Sequence, residues 1–316
     1  MKTSGDGRAL RPHVNRASDK ALGSPRGWGT MKERATLSNI LFATDLSKQS
    51  AHAIAWLRWL CGHYRSTAYV LYVLDLLPID LSAEEIARAR SSAERRFNRF
   101  ILKHRLKQKP FTSVLAIGDA AHVVTEFVDK CRITLVVLGS RAVGLNRLLR
   151  GSISEEVVRS TNCPVITVGP RAKSPRSLGI RRVLFATNLV RNATSVLSRL
   201  QFLFRENLGV ELALAHFLPK ERKSLVERHE IRKRSHAKLI EMVPLEVRGR
   251  ISDVVVESSS PVKGILEFSR EQHVDLIVLA VREAGPFTRA ATHRPLTITH
   301  QIVRSATCPV LTIRIR

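Results

Sequence analysis

The chain repeats itself at the period of a whole domain, and this repeat constrains the fold more than any other feature. The copied segments are RSTNCPVITV at 159–168 and RSATCPVLTI at 304–313, NILFATDLS at 39–47 and RVLFATNLV at 182–190, and LVVLGSR at 135–141 and LIVLAVR at 276–282. The members of these pairs lie 145, 143 and 141 residues apart. A chain of 316 residues is therefore expected to contain two copies of one domain.

Within each copy, short apolar runs alternate with amphipathic segments. Buried parallel strands are predicted at 40–44, 68–74, 113–117, 135–138 and 165–168 of the first copy, and at 183–187, 210–216, 251–256, 276–279 and 310–313 of the second. Ser82 and Glu85 predict a capping box for a helix that reaches about Leu106 and turns Ile86 and Phe97 inward. This order predicts an α/β protein with a doubly wound parallel sheet in each copy.

Composition marks the domain boundaries. Residues 1–37 are rich in Arg, Lys, Gly and Ser and lack an apolar period, so we expect a disordered basic extension. Residues 169–179 carry the Gly, Pro and Ser typical of an interdomain linker. The first domain is accordingly placed at 38–168 and the second at 180–316.

The chain is strongly basic, with 52 Lys and Arg against 27 Asp and Glu and a net charge of +25. Such a charge favours anionic partners, although cations spread along both domains are also consistent with an ordinary solvated surface. Aromatic residues make up only 5% of the chain, and no stacking platform for single-stranded RNA is present. No apolar run approaches the roughly 18–20 residues that cross a bilayer, and residues 1–30 lack a signal-peptide core, so a cytoplasmic protein without membrane contact is expected.

Neither the four cysteines nor His293 and His300 show a metal-binding pattern. Cys163 and Cys308 occupy the same repeat position before the last strand of each copy. We interpret both as small packing residues rather than as redox or metal groups.

The stretch from Leu135 to Val168 combines a strand, a glycine-punctuated basic loop and a helix. The strand ends at Gly139, the loop ends at Gly151, and Ser152 is the predicted N-cap of the helix, with Glu155 as its capping-box partner. A strand, a glycine loop and a serine at a helix start are the means by which a parallel α/β sheet presents backbone N–H groups to a phosphate.

This stretch resembles the C-terminal half of a universal stress protein domain, whose nucleotide-binding members carry G-x-x-G, nine residues, then G-[ST]. Gly139, Gly151 and Ser152 match, whereas Ala142 stands at the second glycine and only eight residues separate it from Gly151. The resemblance covers nearly everything after residue 37. It identifies the chain as a tandem two-domain member with adenine-nucleotide alpha hydrolase-like domains.

The resemblance implies an ATP site in the first copy, with Mg²⁺ accompanying the phosphates. Asp45 takes the position of the family's adenine- and ribose-side aspartate. The other implied residues are Ala43 and Val73, whose backbone groups frame the base, and Gly139, Gly151, Ser152 and Ile153 at the phosphates, with charge added by Arg141 and Arg147. From the residues alone, the glycines are also consistent with tight turns, and Asp45 with a helix-initiating carboxylate.

The second copy departs further from this pattern. Asn188 replaces the aspartate, Ala280 replaces the first glycine, and Pro295 lies near the expected Gly-Ser, where it removes a backbone donor. We interpret this copy as a degenerate structural or pairing domain. Strands 165–168 and 310–313 are predicted to pair within one chain as a pseudo-dimer, because exposed apolar strand edges promote aggregation.

Three classes of function follow from these observations. The favoured class is a cytoplasmic universal stress protein that senses or sequesters an adenine nucleotide and acts through protein partners. The second is an interaction scaffold that binds no nucleotide, and the third is a basic nucleic-acid-associated protein that uses residues 1–37 and 221–240. No nucleophile elbow, paired carboxylates with a base or Walker lysine is present, so at most slow, incidental ATP hydrolysis is expected.

The composition of the N-terminal segment generates a first prediction. Met31 would itself make an ordinary start, and residues 1–30 are interpreted either as a gene-boundary extension or as a basic nucleic-acid arm. Deleting residues 1–30 should leave the melting temperature essentially unchanged, because a segment without an apolar period buries little surface. Thermal denaturation followed by circular dichroism checks this, and a drop of several degrees would show that the segment packs on a domain.

Overall fold

The computed structural model describes residues 37–75, 82–140, 153–176, 179–189, 193–200, 203, 209–219, 224–241, 243, 251–258, 260–282 and 297–315. The disorder predicted for residues 1–37 falls, apart from Leu37, outside these ranges. The predicted Ser152–Glu155 capping box also lies outside the part whose side chains are described.

The first copy alternates strands with helices. Its strands are β1 (Asn39–Thr44), β2 (Thr67–Leu74), β3 (Phe111–Ile117), β4 (Leu135–Gly139) and β5 (Val165–Val168). Its helices are α1 (Lys48–His52), α2 (Ile54–Tyr64), α3 (Ala83–Lys103), α4 (Ala120–Lys130) and α5 (Ile153–Ser160).

The second copy repeats this order. Its strands are β6 (Arg182–Thr187), β7 (Glu211–Pro219), β8 (Ile251–Ser258), β9 (Leu276–Arg282) and β10 (Val310–Ile315). Its described helices are α6 (Ala193–Arg199), α7 (Leu225–Glu241), α8 (Pro261–Glu271) and α9 (Thr297–Ser305). The described helices include none that has both the length and the apolar character needed to cross a membrane.

The ten strands form one sheet in the order β3-β2-β1-β4-β5-β10-β9-β6-β7-β8. Within each copy every pair of neighbouring strands is parallel. The copies meet where β5 pairs with β10 in the antiparallel sense. The predicted α/β class with two mostly parallel domains in tandem is confirmed, and the two sheets are continuous with each other.

Side chains reinforce the junction between the copies. Val165, Ile166 and Thr167 lie opposite Thr312, Leu311 and Val310, and the Thr312 hydroxyl donates to the Val165 carbonyl at 3.2 Å. The Arg314 guanidinium donates to the Ser160 carbonyl at 3.0 Å, and Arg199 donates to the Asn162 carbonyl at 3.2 Å. Helix ends of one copy are thereby fastened to residues of the other.

The hydrophobic core is shared unequally between the two faces of the sheet. On one face a single cluster runs from α2 and α3 of the first copy to α6 and α7 of the second, through Ile166 and Leu311 at the junction. On the other face two separate clusters form, one around α4 and α5 and one around α8 and α9. Because apolar burial is the main stabilising term in folding, the shared cluster makes the stability of each copy depend on the other.

The segment predicted as a linker is packed between the copies. The Trp56 indole donates to the Lys173 carbonyl at 2.9 Å, and the Lys173 N–H donates to the Thr307 carbonyl at 2.9 Å. Ala172 and Ile180 are buried. These contacts hold the segment against α2 on one side and against the approach to β10 on the other.

The capping box of α3 is confirmed, and one part of the same prediction is wrong. Ser82 and Glu85 exchange hydrogen bonds between side chain and backbone, and Phe97 is buried as expected. Ile86, however, is 38% exposed and does not face the core. The apolar period continues into the first turns of α3, where no strand lies beneath the helix to bury it.

Gly169, immediately after β5, shows how closely the copies approach. A Cβ on this residue would lie 1.9 Å from the Val303 carbonyl oxygen of α9. Gly169→Ala should therefore destabilise the whole chain by about 1–3 kcal/mol, because backbone must move to admit the methyl group. Urea denaturation checks this.

Gly62, inside α2, provides the matched control, since a Cβ there meets nothing within 4 Å. Gly62→Ala should stabilise the protein by about 0.5–1 kcal/mol through helix propensity alone. A stabilising Gly169→Ala would contradict the close junction.

Candidate functional site

The ends of β1 and β4 meet at the point where the strand order of the first copy reverses. From β1 the chain continues into β2 on one side, while β4 occupies the other side. Ala43 of β1 lies opposite Leu71 of β2 and Leu138 of β4. In open parallel sheets, ligands bind outside the carboxyl ends of the strands at this switch point. Asp45 and Gly139 are placed there by the two strands that flank it.

The turn after β1 fixes the Asp45 carboxylate. Asp45 Oδ1 accepts the Ser47 N–H at 3.0 Å, and the Ser47 hydroxyl accepts the Ser50 N–H at 3.0 Å as the N-cap of α1. Leu46 adopts a positive φ of 63° and donates its N–H to the Thr44 hydroxyl at 3.0 Å. The Thr44 and Ser50 hydroxyls are hydrogen-bonded to each other. The half-buried carboxylate thus has a fixed direction beside the strand end.

Gly139 has a structural role that needs no ligand. A Cβ on this residue would lie 2.5 Å from the Ser50 Cα and 2.8 Å from the Gln49 carbonyl oxygen. Only a residue without a side chain lets α1 approach the end of β4 so closely. The glycine is therefore explained by packing, whether or not phosphates bind next to it.

The remaining predicted site residues divide into described and undescribed ones. Val73 lies half-buried on β2, next to β1 in the sheet, and Ile153 is the first residue of α5. The structure thus brings Ala43, Asp45 and Gly139 together at the switch point. The phosphate-loop residues Arg141, Arg147, Gly151 and Ser152 lie outside the described residues, as does Ala142.

In the second copy the equivalent strand end is arranged differently. Thr187 again accepts the N–H of a positive-φ leucine, Leu189, at 3.1 Å. The His216 ring nitrogen Nδ1, from β7, lies 2.8 Å from the Thr187 carbonyl oxygen. Asn188 is exposed, and Ala280 stands at the β9 position that matches Gly139.

His216 and the two threonines were missed in the sequence. The register partner of Thr187 is His216, whereas the partner of Thr44 in the first copy is Tyr72, which packs against Phe97. The signal for the threonines was the FAT segment that both repeats retain. No comparable signal marks His216, because only the strand register shows which residue faces the Thr187 carbonyl.

The thiols near the sheet are poor candidates for chemistry. Burial raises the pKa of Cys163 and of Cys308 to about 12, and it does the same for Cys61. A thiol with so high a pKa is almost entirely protonated at neutral pH, and the thiolate is the reactive form. Among the residues that the structure describes, no group of three His, Cys, Asp or Glu side chains could hold a metal ion.

A second concave feature lies away from these strand ends. A groove of about 270 Å³ runs between the linker, α2 and the turn before β9, with Trp56, Lys173 and Arg270 in its lining. None of the residues assigned to the nucleotide lines it. Its volume falls just below the range of about 300–1,000 Å³ that is usual for small-molecule sites.

The fold and the strand-end site define a tandem α/β protein of the kind that binds ligands at a switch point. The chain belongs to the universal stress protein family, whose model matches residues 36–169 and 179–314. A universal stress protein of Methanocaldococcus jannaschii is 30% identical over 137 residues, which are 41% of this chain and 80% of that relative.

Solved structures share the two-domain fold. A universal stress protein from Archaeoglobus fulgidus superposes with a TM-score of 0.62 at 18% identity, and the match covers 88% of this chain and 97% of the other. A universal stress protein solved in complex with cAMP matches with a TM-score of 0.33 at 15% identity, over 42% of this chain and 97% of its own.

The packing at Gly139 generates a prediction that is independent of ligand. Gly139→Ala should destabilise the nucleotide-free protein by about 1–3 kcal/mol, because the methyl group would overlap α1 backbone. The matched exchange in the second copy, Ala280→Gly, should also destabilise, by about 0.5–1 kcal/mol, through backbone entropy. Urea denaturation of both variants checks the pair. If propensity alone acted, Gly139→Ala would stabilise, and that sign would contradict the packing role.

Proposed function

We propose that the first copy binds ATP and that the second copy serves as its structural partner. In this proposal the backbone of Ala43 and Val73 frames the adenine, and Asp45 accepts hydrogen bonds from the ribose. Gly139, Gly151, Ser152 and Ile153 hold the phosphates through backbone N–H groups and the Ser152 hydroxyl, and Arg141 adds positive charge. Mg²⁺ would arrive with the phosphates.

The observation that supports this proposal most is the position of Asp45. Its carboxylate is half-buried at the switch point, on the strand next to the one that ends at Gly139, and its direction is set by the Ser47 N–H. One carboxylate oxygen is used by that bond, and a carboxylate offers further acceptor positions. A fixed acceptor at the carboxyl end of a central strand suits a ribose hydroxyl.

The asymmetry between the copies supports confining ATP to the first. Asn188 removes the negative charge, and Ala280 replaces the glycine at the matching strand end. His216 contacts the Thr187 carbonyl there, whereas Tyr72 at the matching position packs into the core. The second copy then contributes the pairing strand and half of the shared core, as an intrachain pseudo-dimer.

We further propose that the protein acts as a nucleotide-dependent adaptor rather than as an enzyme. The family assignment supports a role in the stress response through protein partners, with catalysis limited to slow, incidental hydrolysis. A cytoplasmic location belongs to the same proposal.

The rival proposal is a scaffold that binds no nucleotide. It is favoured by one observation, namely that the close approach of α1 already requires Gly139. The two proposals differ in what happens when the charge at Asp45 is removed while its hydrogen bond to Ser47 is kept.

Asp45→Asn makes that change, because asparagine retains an oxygen for the Ser47 N–H. Loss of the charge-assisted bond should weaken ATP binding by about 1.5–3 kcal/mol, or roughly 10- to 150-fold. Gly151→Val should abolish binding, since a side chain blocks approach of the phosphates. Isothermal titration calorimetry with Mg-ATP measures both.

Asn188→Ala is the matched control in the second copy and should leave one ATP site of unchanged affinity. A wild-type protein that is folded and shows no ATP binding at millimolar nucleotide would leave the scaffold in place of the ATP proposal. Equal losses in Asp45→Asn and Asn188→Ala would contradict the asymmetry.

A further inference from the structure

The exposed face of the C-terminal half of α3 is lined with cations. Arg95, Arg96, Arg99 and Lys103 are all exposed. At about 100° per residue they fall within an arc of about 100°, opposite the buried side chains of the helix. The buried residues on that opposite side are Ala93, Phe97, Phe100 and Ile101. We refer to these four cations as the α3 patch.

The chain continues the α3 patch beyond the helix. Between residues 95 and 110 it carries seven Lys and Arg and no Asp or Glu. Arg105, Lys107 and Lys109 follow the helix and are exposed. Because n helical residues rise about 1.5 Å each, Arg95, Arg99 and Lys103 are spaced about 6 Å apart along one side of the helix.

The described surroundings supply no neutralising carboxylate. The patch cations form none of the ion pairs found among the described residues, whereas Arg88 and Arg90, nearer the start of α3, pair with Glu84 and Glu94. The elements that pack around α3 are β2, β3 and, through Arg58, α2, and they contain no Asp or Glu.

The charge is also felt by a neighbouring group. The pKa of His104, which ends α3, is lowered by burial first and then by the positive charges of Lys103 and Arg58. Arg58 is itself held in place, since its guanidinium donates to the carbonyls of His104 and Arg105 and lies 5.7 Å from the Phe111 ring centre. The positive field therefore belongs to an ordered structure.

The shape of the patch distinguishes between polyanions. Its two aromatic residues, Phe97 and Phe100, are buried, so no ring is presented for stacking with an unpaired base. Cations without stacking side chains contact backbone phosphates and carry no base readout. A rigid duplex concentrates phosphates at about one charge per 1.7 Å of axis, which is a far denser target than a flexible strand or a single phosphate.

We propose that the α3 patch binds the phosphate backbone of double-stranded nucleic acid without sequence preference. This surface is separate from the ATP site and from α7, the helix in the basic 221–240 segment. Helix α7 carries Glu227, Glu230 and Glu241 among its cations, and Glu230 pairs with Arg234.

The test uses the full chain and a fluorescently labelled 24-base-pair duplex, with anisotropy measured across a range of salt concentrations. The triple variant Arg95→Gln, Arg99→Gln, Lys103→Gln keeps good helix formers and removes three phosphate contacts. The slope of log affinity against log salt should become shallower by about 2.7, which is a loss of about 500-fold at 0.1 M salt. A second duplex of shuffled sequence should bind equally well.

The control triple variant Arg232→Gln, Lys233→Gln, Lys238→Gln removes the same charge from exposed positions of α7. It should leave the slope within about one unit of wild type, because bulk charge alone contributes little at short range under screening. Far-ultraviolet circular dichroism verifies that both variants fold, and ATP titration should be unaffected in both.

Two results would overturn the proposal. Equal loss of duplex binding in the two triple variants would assign the effect to net charge rather than to the patch. Binding of the wild type to phosphatidylserine vesicles or to polyglutamate, with no duplex binding at 0.1 M salt, would show that the patch serves a different anionic partner.

Discussion

The antiparallel pairing of β5 with β10 is the constraint on which the rest of the structure depends. It joins two parallel five-stranded sheets into one and leaves β3 and β8 as the outer edges. It also allows a single hydrophobic cluster to cover one face of the sheet from α3 to α7. Gly169 and the packed linker then bring α9 and α2 against the same junction. The positions of both strand-end sites follow from this pairing.

At those sites the two copies differ in side chains on one backbone plan. In each, a threonine hydroxyl accepts the N–H of a positive-φ leucine after the first strand. The first copy then presents a fixed carboxylate, whereas the second presents a neutral amide next to a histidine that contacts the strand-end carbonyl. Since charge and acceptor number decide which polar ligand is held, equal folds need not share a ligand.

The sequence predicted the elements that are governed by local pattern and missed those that depend on tertiary packing. Apolar runs located the strands, and the Ser82–Glu85 box located the start of α3. Helix α8 was not predicted, although Ser260 caps it and Pro261 is its first residue, which is a local signal. Ile86 was placed in the core because its period is right, but the sheet does not extend beneath it. The strand ends at Asp45 and Gly139 were located, whereas the packing role of Gly139 depends on α1, which the spacing of glycines does not reveal.

Covalent linkage of the two paired copies changes how the protein tolerates substitution. In a symmetric dimer of separate chains, every mutation occurs twice and the paired state is lost on dilution. Here each residue of the junction occurs once, and the partner strand is held at a high effective concentration by the chain itself. One copy can therefore exchange an aspartate for an asparagine while the other retains it. The fused architecture makes divergence of the two halves inexpensive in stability.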